Sequence, residues 1–174
     1  GDVVRTISVL SAIKEKYPGC SITWITRKNS ADILLSNPDI TQVYTFPSSP
    51  KENFNILYNF DMDEDATNLA SVINADKKYG FCMKDGFLAT FNLGAEYYLN
   101  TLFDDDLKRT NKKTYQEMIF DVADLEYQHQ KSRIFLSKKD LKYADNFARE
   151  NNLNPKNLIG IHLGAGKRWP SKAW

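Results

Sequence analysis

Residues 162–174 read His-Leu-Gly-Ala-Gly-Lys-Arg-Trp-Pro-Ser-Lys-Ala-Trp and directly follow the apolar stretch 158–161. Their types suit an anion site. Gly164, Ala165 and Gly166 are small enough for backbone N–H groups to approach an oxyanion, and Lys167 adds a point charge. A helix opening after Pro170 would add a partial positive charge. The loop is not a Walker motif, because its length differs and Arg168 stands where Ser or Thr is required. Nor is it the dinucleotide fingerprint, since Trp169 takes the place of the third glycine. His162 and His129 are single histidines without partners, and His162, beside this loop, reads more simply as a packed strand-end residue than as a ligand.

Two acidic features also carry chemistry. Asp2 follows a glycine and precedes a helical pattern, so its carboxylate can cap that helix by accepting from the N–H of Val4 or Arg5. It can equally be a general base presented at the carboxyl end of a strand, where open α/β sheets place their ligands. The run Asp61-Met-Asp63-Glu64-Asp65 follows an apolar strand pattern. Asp61 and Asp63 in that spacing can hold a divalent metal on a nucleotide diphosphate, or the run is a solvated loop whose last acid caps the next helix. A calcium loop is excluded, because Ala66 and Val72 occupy the places of its required Gly and Glu.

The elements that must position these residues follow from periodicity. Apolar residues at steps of three and four predict one helix over residues 3–17, ended by Pro18-Gly19. Strands are expected over 21–26, 42–46, 55–60 and 78–83. Between them fall a short helix over 31–35, capped by Ser30, and another from about 66 to 73. Residues 84–94 are punctuated by glycine and fit a hairpin or a functional loop. Helices are expected over 95–103, 114–125 and 137–151, the last with Ser137 and Asp140 in a variant capping box. The polar stretch 104–113 reads as a mobile joint. Alternating strands and helices point to an α/β fold with a parallel sheet, in which 21–26, 43–46 and 55–60 are neighbours. Asn154-Pro155-Lys-Asn157 is the strongest linker, and residues 158–163 are expected to open a second α/β domain as its first strand. Gly1-Asp2 abuts a helix with no strand ahead of it, and the element after Pro170 is cut short, so the sequence reads as a piece of a longer chain.

Composition bounds the function classes. With 174 residues, 42% hydrophobic and 13% aromatic, the chain can bury a core rather than remain disordered. Its 23 basic and 22 acidic side chains leave a net charge of +1, which is no footprint for wrapping nucleic acid. Cys20 and Cys82 have no metal-ligand spacing and fit buried or free thiols in a reducing cytoplasm. No apolar stretch nears the roughly 20 residues that span a bilayer.

Taken together, these pieces resemble glycosyltransferase family 9, the lipopolysaccharide heptosyltransferases. Gly1-Asp2-Val3-Val4-Arg5-Thr6, Leu10-Ser-Ala-Ile-Lys-Glu-Lys-Tyr-Pro18 and Ile22-Thr-Trp-Ile-Thr-Arg27 are similar to its first helix and the strand after it. Gly164-Ala-Gly-Lys-Arg-Trp-Pro170, with Trp174 beyond, is similar to its Lys-x-Trp-Pro element. The resemblance implies the N-terminal half of a two-domain GT-B-type enzyme with Rossmann-like parallel sheets. Residues 1–155 would be the acceptor-side domain lacking its first strand, and 156–174 the truncated start of the nucleotide-sugar domain. It implies inverting, metal-independent transfer of heptose or another sugar from a nucleotide diphosphate, ADP-heptose by family, to the lipopolysaccharide core or a related glycan. Asp2 would be the base, and Lys167 with Gly164, Ala165 and Gly166 would hold the donor phosphates. Arg5 and Arg27 would contact acceptor phosphates or carboxylates, unless they are ordinary surface arginines. No cofactor, metal or nucleic acid is implied. The location would be the cytoplasm, with scope for peripheral contact at the inner membrane surface. The other readings are a non-catalytic nucleotide- or sugar-phosphate-binding module, and a metal-dependent glycosyltransferase using Asp61 and Asp63.

Overall fold

In a computed structural model, which describes residues 2–161, the chain divides into two units between Phe135 and Leu136. The division falls ahead of the linker marked by Asn154-Pro155. The first unit is a mixed α/β fold. Its elements are α1 (Asp2–Thr6), α2 (Val9–Lys16), β1 (Thr23–Thr26), α3 (Lys28–Ala31), β2 (Gln42–Thr45) and β3 (Phe54–Asn59). They continue with α4 (Glu64–Val72), β4 (Ala75–Lys84), β5 (Phe87–Thr90), α5 (Leu93–Asn100), α6 (Asp105–Thr110) and α7 (Tyr115–Val122). The second unit holds α8 (Lys138–Glu150) and a 3-10 turn over Pro155–Asn157. No described helix is long and apolar enough to cross a membrane.

The strands pair as their alternation with helices requires, but in two groups. β1 and β2 are parallel, in register from Thr23 opposite Gln42 to Thr26 opposite Thr45. β3 pairs in parallel with β4, and β5 folds back antiparallel on β4. The expectation that β3 neighbours the first two strands is therefore corrected. The strand expected over 78–83 runs longer, because pairing with β3 carries the charged residues Asp76, Lys77 and Lys78 into the ladder against their own weak strand preference. The glycine-rich stretch after it is a hairpin: Asp85 (φ 51°) and Gly86 (φ 80°) make the two-residue turn whose twist suits antiparallel strands. Gly80 cannot be replaced at this spacing, since a Cβ there would lie 1.9 Å from the Asn59 carbonyl oxygen.

Four further expectations change. The helix over residues 3–17 is broken at Ile7-Ser8 into α1 and α2. Thr6 Oγ1 donates to the carbonyls of Asp2 and Val3, and Ser8 Oγ to that of Arg5, so hydroxyls compete for the helix's own acceptors. The short helix starts earlier, at Lys28, because Arg27 has extended backbone and leads β1 straight into it; Ser30 lies inside it rather than capping it. The polar joint over 104–113 contains α6, where Asp104 Oδ1 accepts from the N–H of Asp106 and of Leu107, both at 2.9 Å. Residues 158–161 form no strand, for among the described residues no segment pairs with them and an unpaired strand leaves its backbone groups unsatisfied.

The core of the first unit is built on α2 and α7. Val9, Ala12 and Ile13 of α2 meet Ile119 and Phe120 of α7, with Tyr58 and Phe60 packed alongside. Ile7, Leu10 and Leu34 form a second cluster with Trp24 and Val43. Phe81, Ala95 and Val122 form a third. The contact between α5 and α7 is so close that a Cβ on Gly94 would lie 2.1 Å from the Asp121 carbonyl oxygen.

Candidate functional site

Parallel strands open a crevice at their carboxyl ends, where the chain must leave the sheet and helix starts face the opening. In the first unit Arg27 follows β1 and the acidic run 61–65 follows β3, while Asp2 and Arg5 lie on α1. The turn after β3 is held by Asn59, whose side-chain amide donates to the carbonyls of Asp61 (2.9 Å) and Phe81 (2.8 Å). Its oxygen accepts from Asp61 N at 3.1 Å. Asp61 then accepts from Asp63 N at 2.9 Å, which tightens the acidic run into a turn ahead of α4. Asp63 is the residue ahead of α4 but makes no side-chain cap.

Arg27 sits directly after β1 and reaches across to this run, 3.0 Å from Asp65 and 3.6 Å from Asp63. Two carboxylates thus already face the guanidinium expected to meet acceptor phosphate. The pairs are more than half exposed, so water screens them and they hold geometry more than they add stability. Asp63 is likewise engaged, and among the described residues no group of three His, Cys, Asp or Glu side chains is spaced to hold a metal ion.

Asp2 does not cap its helix with its carboxylate. That carboxylate pairs with the Arg5 guanidinium one turn on. Arg5 in turn lies over the Tyr115 ring, 3.9 Å from its centroid, a cation–π contact. Tyr115 meets Tyr98 edge-on at 5.9 Å, and Tyr98 meets Phe81 at 5.8 Å. Burial pushes both phenols above their ordinary range. Tyr98 adds to the rise at Tyr115, Arg5 opposes it at both, and the Asp2 and Asp61 carboxylates add to it at both. Asp2, Arg5 and Asp61 thus all act on the half-buried Tyr98 and Tyr115, and the exposed Asp2 carboxylate pairs with the arginine stacked on the Tyr115 ring.

The fold brings Asp2 and Arg5 together, while Arg27 is held by Asp63 and Asp65. Lys167, Gly164, Ala165, Gly166 and His162 lie outside the described residues. Sequence reasoning passed over Asn59, Tyr98 and Tyr115. Asn59 had a signal, since an Asn two residues before an Asp at a strand end is a turn-forming type. The tyrosines had none, because their meeting depends on α5, α7 and α1 converging. Comparison with protein-family models, with curated proteins and with solved structures gives no match.

Proposed function

We propose that this chain is the acceptor-side part of a GT-B-type glycosyltransferase with a Rossmann-like sheet, transferring a sugar from a nucleotide diphosphate with inversion and without a metal. The observation that carries the reading is Asp2: a mostly exposed carboxylate paired with Arg5, which itself rests on the Tyr115 ring, in a unit that contains parallel strands. The resemblance of residues 1–27 and 164–174 to the lipopolysaccharide heptosyltransferases adds the substrate class, a heptose or similar sugar donated to a lipopolysaccharide-type glycan.

Asp2 takes the proton of the acceptor hydroxyl as that oxygen attacks the anomeric carbon. The bond from that carbon to the diphosphate breaks on the opposite face, and the leaving phosphate gains charge. Lys167 and the loop of Gly164, Ala165 and Gly166 stabilise that charge. Arg5 holds the Asp2 carboxylate by a paired contact and is itself fixed on the Tyr115 ring. The engaged state of Arg27 argues against its role on acceptor phosphate and favours a part in shaping the crevice.

The test is Asp2→Asn in the protein carrying both domains, assayed for transfer from ADP-heptose. The expected loss in kcat is about 10² to 10⁴, with little change in stability. Turnover within a few-fold of the parent would remove Asp2 from the chemistry. Loss of transfer on addition of a chelator would instead favour a metal held by Asp61 and Asp63.

A further inference from the structure

A cavity of about 430 Å³ lies within the first unit and shares no residue with the proposed reaction. Its size falls in the range of small-ligand sites, about 300–1,000 Å³. Ile7 and Leu10 give it a buried apolar lining, anchored on Leu34 in the second core cluster. Asn37 also lines it, and that residue is only 4% exposed. The Asn37 backbone is fully used: its N–H donates to the Leu34 carbonyl at 3.0 Å, and its carbonyl accepts from Ile40 N–H at 3.2 Å. Its side-chain oxygen accepts from Asp39 N–H at 3.0 Å, which fixes the amide in place. The Nδ2 of the same amide donates to no group among the described residues. Buried amide donors are ordinarily satisfied. The fully enclosed orphan among the described side chains is the Tyr58 hydroxyl, so the Asn37 donor instead opens to the space that the residue lines.

The stretch 131–135 supplies charge to the same cavity. Lys131, Arg133 and Phe135 line it and the intervening Ser132 and Ile134 do not, the alternation of an extended segment. Both cations are exposed, and neither forms an ion pair among the described residues. Two like charges brought to one face repel each other until an anion sits between them. His129, whose ring meets Tyr127 edge-on at 5.2 Å, adds a ring nitrogen to the lining. Asp39 is the one carboxylate there, unpaired among the described residues, and it can accept from hydroxyl groups.

We propose that this cavity binds a phosphate monoester of a small hydroxylated molecule, such as a sugar phosphate, with the phosphate on Lys131 and Arg133 and the hydroxyls on Asp39 and Asn37. A carboxylate has two oxygens in one plane and is answered by a single arginine fork. An ammonium and a guanidinium two residues apart suit a dianion that offers three oxygens in different directions. Asp39 repels a bare anion, so an ester that brings hydroxyl donors to it is favoured over inorganic phosphate. Ile7, Leu10 and Phe135 cover the carbon face of such a ligand. The site uses none of the residues assigned to sugar transfer, and it stands whether or not Asp2 is a base.

The experiment titrates the chain with glucose-6-phosphate and follows the Asn37 side-chain amide in nitrogen–proton NMR spectra, with glucose, glucuronate and inorganic phosphate as reference probes. The sugar phosphate should shift the Asn37 signal saturably, and each reference should bind at least about tenfold more weakly, since each lacks some of the charge-assisted contacts. Changing Lys131→Ala and Arg133→Ala together should weaken binding by about tenfold or more while the unfolding midpoint stays in place, because both side chains are exposed. Asn37→Asp keeps the oxygen that accepts from Asp39 N–H and replaces the donor by a negative charge, so it should abolish binding. Should that variant fail to fold, the double variant carries the test. Lys108→Ala, on α6, should leave the affinity unchanged. The absence of a saturable shift at Asn37, or equal affinity in the double variant and the parent, overturns the site. Equal affinity for inorganic phosphate overturns the hydroxylated ester, and equal affinity for glucuronate overturns the phosphate.

Discussion

Helices α7 and α8 begin with the same device. Thr114 accepts from Glu117 N and receives the Glu117 carboxylate on its own N–H at 2.6 Å. Ser137 and Asp140 exchange the same pair of bonds ahead of α8. From there the two diverge. α7 buries Met118, Ile119, Phe120 and Val122, and Phe120 is fully enclosed with Tyr127 edge-on at 5.0 Å. α8 buries none of its residues, and its Leu141, Tyr143 and Phe147 remain about half exposed or more. The contrast separates two sources of helix stability. A cap is complete within four residues, whereas burial needs partners that sequence neighbours do not supply.

The largest effect that would break this contrast is in the core. Phe120→Ala should lower the stability of the first unit by about 3–5 kcal/mol in urea unfolding, because a large enclosed ring is lost and its cavity only partly collapses. Phe147→Ala should stay within about 0.5 kcal/mol. Equal losses would mean that α8 is as firmly packed as α7.

The caps give a smaller, sharper comparison. Thr114→Ala should cost about 1 kcal/mol and appear in the global unfolding midpoint, since α7 belongs to the core. Ser137→Ala should leave that midpoint in place and instead speed hydrogen exchange in the first turn of α8. A shift of the global midpoint by both variants would show one cooperative unit rather than two.

The smallest effect is on acid dependence. The Thr114 N–H and hydroxyl hold the Glu117 carboxyl below its ordinary range, and the Ser137 hydroxyl and N–H do the same for Asp140. A carboxyl depressed on folding contributes stability that is present above its unfolded value, about 4.3 for Glu and 3.9 for Asp, and lost as pH falls through the folded value. Glu117→Gln should therefore flatten the stability–pH curve below about pH 4. The Asp140→Asn change should be visible only in local exchange on α8. Identical acid curves for wild type and Glu117→Gln would remove the cap as the source of that slope.

The site shows the same division between local and distant causes. Asp2 and Arg5 could be picked out from residue type and position, and their pairing follows from a spacing of three on a helix. That Arg5 would rest on Tyr115 could not, because the two are far apart in sequence and meet only when α1 docks on α7. Arg27 was legible as a basic residue at a strand end, but its engagement by Asp63 and Asp65 depended on the segments after β1 and β3 meeting in space.

By itself the sequence determined the alternation of strands and helices, the capping box at Ser137, and a glycine-punctuated stretch that had to be a hairpin or a loop. Each depends on backbone preferences and hydrogen bonds that close within a few residues. Only the tertiary structure decided that β3 joins β4 rather than β1, that α1 breaks from α2, and that Arg5 rests on the half-buried Tyr115 ring. Strand pairing and side-chain meeting are settled by which apolar faces can be buried together. That competition is decided over the whole unit, because each local segment is compatible with more than one partner until its neighbours are in place.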